Sequence, residues 1–192
     1  DLGIHSGAIP DAVADLIEAG VITNARKERD AGVSVTGMLI GTERLYRLAH
    51  DNPAIRLAAQ DETHDPTIIA GLSRFHAINS ALEVDLTGQV GSEEAGGRYL
   101  GAVGGQLDYV RAAQRAPGGR SIIALPSVTP KGVSRIVARV AAATCPRADA
   151  DTFVTEHGVA DLRGQPLAER ARRMIAIAAP EHREALARAW AE

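Results

Sequence analysis

Gln106-Leu107-Asp108-Tyr109-Val110-Arg111-Ala112-Ala113-Gln114-Arg115-Ala116-Pro117-Gly118-Gly119-Arg120-Ser121-Ile122-Ile123-Ala124-Leu125 is the stretch that decides the fold class. Leu107, Val110 and Ala113 recur at helical spacing, which predicts a helix over 106–116 with one apolar stripe. Pro117-Gly118-Gly119 ends it in a turn. Ser121 to Leu125 is then a strongly apolar strand. A helix that feeds an apolar strand is the unit from which parallel sheets layered with helices are made.

The same alternation continues outward. Pro10 to Ala19 reads as a short helix stopped by Gly20, and Val21-Ile22-Thr23 as a brief strand. Val33 to Ile40 is β-branched and apolar, with Thr42 placed to cap a helix that carries Leu45, Tyr46, Leu48 and Ala49 on one face. Asp65-Pro66 opens a further helix through Ile68, Ile69 and Leu72, after which Phe75 to Leu82 and Val84 to Leu86 read as extended. Val133 to Val140 and Thr152 to Thr155 are strand candidates, and Pro166 to Ala178 and Pro180 to Ala191 close the chain as helices. We therefore expect an α/β fold with an open, mostly parallel sheet layered with helices, in one compact domain spanning 1–192.

Composition narrows the function. The 192 residues are 45% apolar, enough for one sizeable core, and the net charge is −3 from 21 basic and 24 acidic residues. No field of one sign is present to imply nucleic acid or an anionic membrane as partner, and no apolar run approaches the ~20 residues of a membrane span. Cys145, the single cysteine, excludes an internal disulfide and leaves too few thiolates for a structural zinc site, which favours a cytoplasmic setting. The six histidines show no metal-ligand spacing, so no metal is expected. The chain starts at Asp1 with a motif already under way and reads as part of a longer protein.

Gly101-Ala102-Val103-Gly104-Gly105-Gln106 is the first candidate for chemistry. Adjacent glycines let backbone approach a ligand closely, and exposed amides at a helix start stabilise negative charge on oxygen. The competing reading is a tight turn before a helix. Gly-Gly-Gln also occurs in translation release factors, but ribosome binding calls for a basic surface that this chain lacks. Glu83 and Asp85 lie two apart on a strand and so share a face; they are an acid/base pair or strand-borne acids held by backbone amides or an arginine.

Several motifs in order carry a resemblance: Asp1-Leu2-Gly3-Ile4-His5-Ser6-Gly7, Ala77 to Leu86, Gly101 to Asp108, the continuation Gln106 to Arg111, and Thr155-Glu156-His157-Gly158-Val159-Ala160-Asp161-Leu162-Arg163-Gly164. Over essentially its whole length the chain resembles the carboxyl-terminal domain of the acetyl-CoA hydrolase/transferase family. The resemblance implies transfer of coenzyme A between small carboxylic acids or to water, with CoA as substrate and no cofactor. It also implies a partnering amino-terminal CoA-transferase domain, a pocket between the two, and a homodimer. Gly104, Gly105 and Gln106 then face the thioester. His64, in His64-Asp65-Pro66, stands where the family has an asparagine near the adenosine of CoA, and Lys131, in the loop from Ser127 to Arg135, is a phosphate-binding candidate or simply a solvated cation. In the Thr155 to Gly164 turn, local pairing of Glu156 with Arg163 is expected.

One position departs from the family. Its pattern Gly-Ile-His-(Ser/Thr)-Glu ends in a nucleophilic glutamate that attacks the thioester; here Gly7 occupies that place. The attack gives a mixed anhydride, which the CoA thiolate opens to a glutamyl-CoA thioester before a second carboxylate takes the CoA. Gly7 has no side chain to do this. Three readings follow: an active transferase or hydrolase in which Glu83 or a residue of another domain substitutes, a CoA-ester binding or regulatory relative, and an assembly module that acts only with its partner half.

Overall fold

The computed structural model describes residues 1–191 and divides them into two compact units, Asp1–Phe75 with Arg115–Gly118, and His76–Gln114 with the described residues from Gly119 onward.

The first unit runs β1 (His5–Pro10), α1 (Asp11–Glu18), β2 (Ser34–Ile40), α2 (Glu43–Ala49), β3 (Ile55–Leu57), α3 (Gln60–Thr63) and α4 (Pro66–Ala70). Its three strands pair in parallel in the order β1-β2-β3, and α1 and α2 supply the crossovers that parallel pairing requires. Ile9, Ala14 and Leu45 are fully buried and pack with Ile4, Val13, Leu39 and Leu48. Burying Ile9 or Leu45 contributes about 1.5–3 kcal/mol each. Thr42 does sit at the start of α2, yet its hydroxyl caps nothing. Instead its amide and hydroxyl donate to the Asp11 carboxylate at 3.0 and 3.1 Å, tying the starts of α1 and α2 together. Asp65 caps α4, accepting from the amides of Thr67 and Ile68 at 2.6 and 3.3 Å, and those bonds lower its pKa. The strand expected at 21–23 is reduced to a single bridge between Leu2 and Ile22.

The second unit contains β4 (His76–Asn79), β5 (Glu83–Asp85), β6 (Val90–Gly91), β7 (Glu94–Ala95), β8 (Arg98–Tyr99), α5 (Gln106–Arg115, whose last residue falls in the first unit), β9 (Arg120–Ala124), β10 (Ile136–Val137), β11 (Thr152–Thr155), β12 (Gly158–Asp161), α6 (Leu167–Ala176) and α7 (Pro180–Ala191). β4, β9 and β11 are parallel neighbours and β12 closes the sheet antiparallel, in the order β12-β11-β9-β4. Phe153, Ile123, Leu162 and Met174 are fully buried at the centre of this unit's core. The α/β class and the predominance of parallel pairing are as expected. The strands nevertheless form four small sheets among the described residues rather than one. Short segments between turns account for this. Val133 to Val140 keeps only Ile136–Val137 in a ladder, because the Ser134 hydroxyl bonds Ile136 O at 2.7 Å and the Arg135 amide turns to Ser127 O at 2.9 Å.

Candidate active site

The Gly104–Gly105 loop leads into α5 in the second unit. Gly104 has φ +58, a left-handed conformation that glycine adopts without penalty, and a Cβ there would meet nothing within 4 Å. The amides of Gly104, Gly105 and Gln106 donate to no group among the described residues, and all three residues are at least partly exposed. α5 adds its dipole, since the first amides of a helix have no partner inside it. Free donors at a helix start can stabilise an oxyanion.

The side chain of Gln106 ties this helix start to its surroundings. Its Nε2 donates at 2.9 Å to the carbonyl of Ser80, the residue after β4, and its Oε1 accepts from Ser92 Oγ at 3.1 Å. The free amides therefore lie by the carboxyl end of a parallel strand, where open α/β sheets characteristically bind ligands. At the other end of the loop, Gly101 packs so closely on Ser92 O that a Cβ would overlap it. Ser92 carries no motif signal, and its part in the loop could not be read from spacing.

The two strand carboxylates have separate surroundings. Asp85 is 1% exposed, and its Oδ1 accepts from the Thr87 amide, the Thr87 hydroxyl and the Gln89 amide at 2.8, 2.7 and 3.0 Å. It organises the turn into β6. Glu83 is half-buried, and its Oε1 accepts from the Gly96 amide at 3.2 Å, at the turn of the β7–β8 hairpin. Lys131 is exposed at the tip of a turn closed by Thr129 N donating to Val133 O at 2.8 Å, and it forms no ion pair among the described residues. Arg135, in the same loop, turns inward: its Nη1 donates to the carbonyls of Ala81 and Leu82 at 3.2 and 3.4 Å, with no acid partner among the described residues.

The expected pairing of Glu156 with Arg163 does not occur. β11 and β12 form a hairpin, so the acid at its turn points elsewhere. Glu156 accepts from the Ser127 hydroxyl and amide at 2.5 and 2.9 Å, which hold its pKa down to about 2. Arg163 instead clamps Asp161, at 2.7 Å through Nη2 and 3.1 Å through Nε. Cys145 is fully buried in this unit's core, and burial pushes its thiol up to about 12; it serves as a packing residue.

In the first unit, Gly7 lies inside β1 and is partly exposed. His5, two residues earlier on the same face, is 7% exposed and its Nε2 lies 3.2 Å from Thr63 O; burial lowers its pKa. His64 ends α3, with its Nδ1 2.9 Å from Thr63 Oγ1. Gly7 and His64 belong to this unit, Glu83, Gly104, Gly105, Gln106 and Lys131 to the other. No group of three or more His, Cys, Asp or Glu among the described residues could hold a metal ion.

The profile of the acetyl-CoA hydrolase/transferase C-terminal domain matches residues 41–190. The chain belongs to the acetyl-CoA hydrolase/transferase family. It is 44% identical over 190 residues to a 4-hydroxybutyrate coenzyme A transferase of Clostridium kluyveri, covering 97% of this chain and 44% of that protein. With a succinyl-CoA:cyclohexane-1-carboxylate CoA transferase of Geobacter metallireducens it shares 39% identity over 193 residues, 98% of this chain and 44% of the relative. The crystal structure of a 4-hydroxybutyrate CoA-transferase from Porphyromonas gingivalis superposes with a TM-score of 0.85 at 38% identity, covering 98% of this chain and 44% of that one. The chain thus spans less than half the length of the curated relatives it matches. No described helix is long and apolar enough to cross a membrane.

Proposed function

We propose that this chain is the carboxyl-terminal part of an acyl-CoA:carboxylate CoA-transferase or acyl-CoA hydrolase that acts on small thioesters such as acetyl-CoA. The observation that carries the reading is the set of free amides at Gly104, Gly105 and Gln106, beside the carboxyl end of β4, in a chain of this family. These amides receive the thioester oxygen as negative charge builds on it. Coenzyme A is a substrate, and no cofactor takes part. An amino-terminal CoA-transferase domain completes the site, His64 and Lys131 reach toward CoA, and the protein works as a cytoplasmic homodimer; the family resemblance supports the domain, the CoA contacts and the dimer, and the single cysteine supports the compartment.

Gly7 supports a second reading, in which the protein binds CoA esters without covalent turnover. In the first reading a different carboxylate attacks, and Glu83 is the one to test. Incubating the protein together with its amino-terminal domain with acyl-CoA and then borohydride separates the two. Borohydride reduces an enzyme-bound acyl thioester to an alcohol, which mass spectrometry locates on a specific residue. Modification that depends on acyl-CoA supports the transferase, and its loss in Glu83→Gln assigns the nucleophile. Saturable binding with neither modification nor turnover supports the binding protein.

A further inference from the structure

Gln106 neighbours the free amides, yet its side chain is committed to the protein at both ends. Its orientation is unambiguous. Ser80 O is an acceptor only, so Nε2 must face it, and rotating the amide would bring two acceptors together. Oε1 is then left to take the Ser92 hydroxyl proton.

Ser92 is held in turn. Its amide donates to Thr144 Oγ1 at 2.9 Å, and that hydroxyl donates to Glu93 Oε2 at 3.0 Å. Its carbonyl lies under Gly101, while the amides of Leu100 and Gly101 donate to Glu93 O at 2.7 and 3.0 Å. Ser92 and Glu93 therefore grip the loop at Gly101, and Ser92 grips it again at Gln106. Residues 102–105 span the gap with no backbone amide bonded to any described residue. A glycine with open space around it has many alternative conformations, and hydrogen-bond donors stabilise developing charge only when already aimed at it.

We propose that the Ser92–Gln106 clasp is the positioning device for the oxyanion site, with Gln106 a positioning residue whose side chain does not touch the acyl group. It acts by fixing the direction of the Gly104 and Gly105 amides, and it rests on the reading of those amides given above. The missing nucleophile has no part in it, so it can be tested without turnover.

The test is the infrared carbonyl stretch of acetyl-CoA, 13C-labelled at the thioester carbonyl, bound to the protein together with its amino-terminal domain. In the wild type the stretch falls below that of free acetyl-CoA, because the aimed amides polarise the carbonyl. Ser92→Ala and Gln106→Ala each lose most of this lowering in the fully bound complex, while Ser92→Thr, which keeps the hydroxyl, retains it. If both alanine variants bind and keep the full lowering, the clasp is only fold glue and the proposal is overturned. Bound wild type with no lowering removes the oxyanion reading itself, an outcome distinct from the first. Should Ser92→Ala fail to fold, Gln106→Ala and Ser92→Thr still decide.

Discussion

Gly7 and Gly104 place the same residue type in opposite physical situations. Gly7 is in a strand, between the β1–β2 pairs Ser6 with Thr36 and Ala8 with Met38, and it has no left-handed backbone. The backbone conformation there is one that any residue adopts, so glycine amounts to a missing side chain. Gly104 has φ +58 in open space, so there glycine supplies a conformation. The first leaves a strand position without a side chain; the second creates a way to present amides. Under the proposed function, a catalytic role would be lost at the first position while the binding geometry is kept at the second.

The largest effect should come from restoring the side chain. With the amino-terminal domain present, Gly7→Glu is expected to raise acyl-CoA-dependent CoA transfer on the order of 10³-fold or more, since removing a covalent nucleophile costs other enzymes that much. No gain in steady-state turnover would place the nucleophile elsewhere and erase the contrast between the two glycines. Next is Gly101→Ala, whose Cβ would overlap the main-chain oxygen of Ser92. Overpacking against backbone costs about 1–3 kcal/mol, read as a lower denaturation midpoint.

The comparison is sharpened by the pair Gly104→Ala and Gly7→Ala. A left-handed alanine costs about 1–2 kcal/mol, whereas alanine in an extended strand is neutral or stabilises by about 0.4–1 kcal/mol through the unfolded chain. Urea titrations should lower the midpoint of Gly104→Ala and leave that of Gly7→Ala unchanged or higher, and equal losses would mean that Gly7 is also conformationally required.

The smallest effect concerns pH. The pKa of Glu156 is lowered from 4.5 to about 2, first by the Ser127 hydroxyl. A depressed folded pKa contributes stability that is present above the unfolded value and lost as pH falls through the folded one. The difference in melting temperature between wild type and Glu156→Gln should therefore be constant above about pH 4.5 and close by about pH 2. A gap that persists in acid would mean that the Ser127 contact does not depend on the charge.

Much of this protein was legible in its residues. The helix at 106–115, the strands at 120–124 and 152–155 and the two terminal helices follow from apolar periodicity, which reports the buried face through a local rule. The short strands β3, β6, β7, β8 and β12 were not legible, because two to four residues carry too little period, and Val133 to Val140 looked like one strand because periodicity does not see Ser134 and Arg135 spending their hydrogen bonds on neighbours. Glu156 and Arg163 looked like partners by proximity in the chain, whereas the β11–β12 hairpin aims them apart.

The sequence by itself determined the α/β class, the family, the glycine pair that leads into α5 and the side chain missing at Gly7, since each is a property of residue type or of short-range spacing. Only the tertiary structure decided that Ser92 reaches Gln106 across 14 positions and Thr144 across 52. A hydrogen bond needs its atoms within about 3 Å, and no local pattern records which distant loops the packing of a core will bring that close.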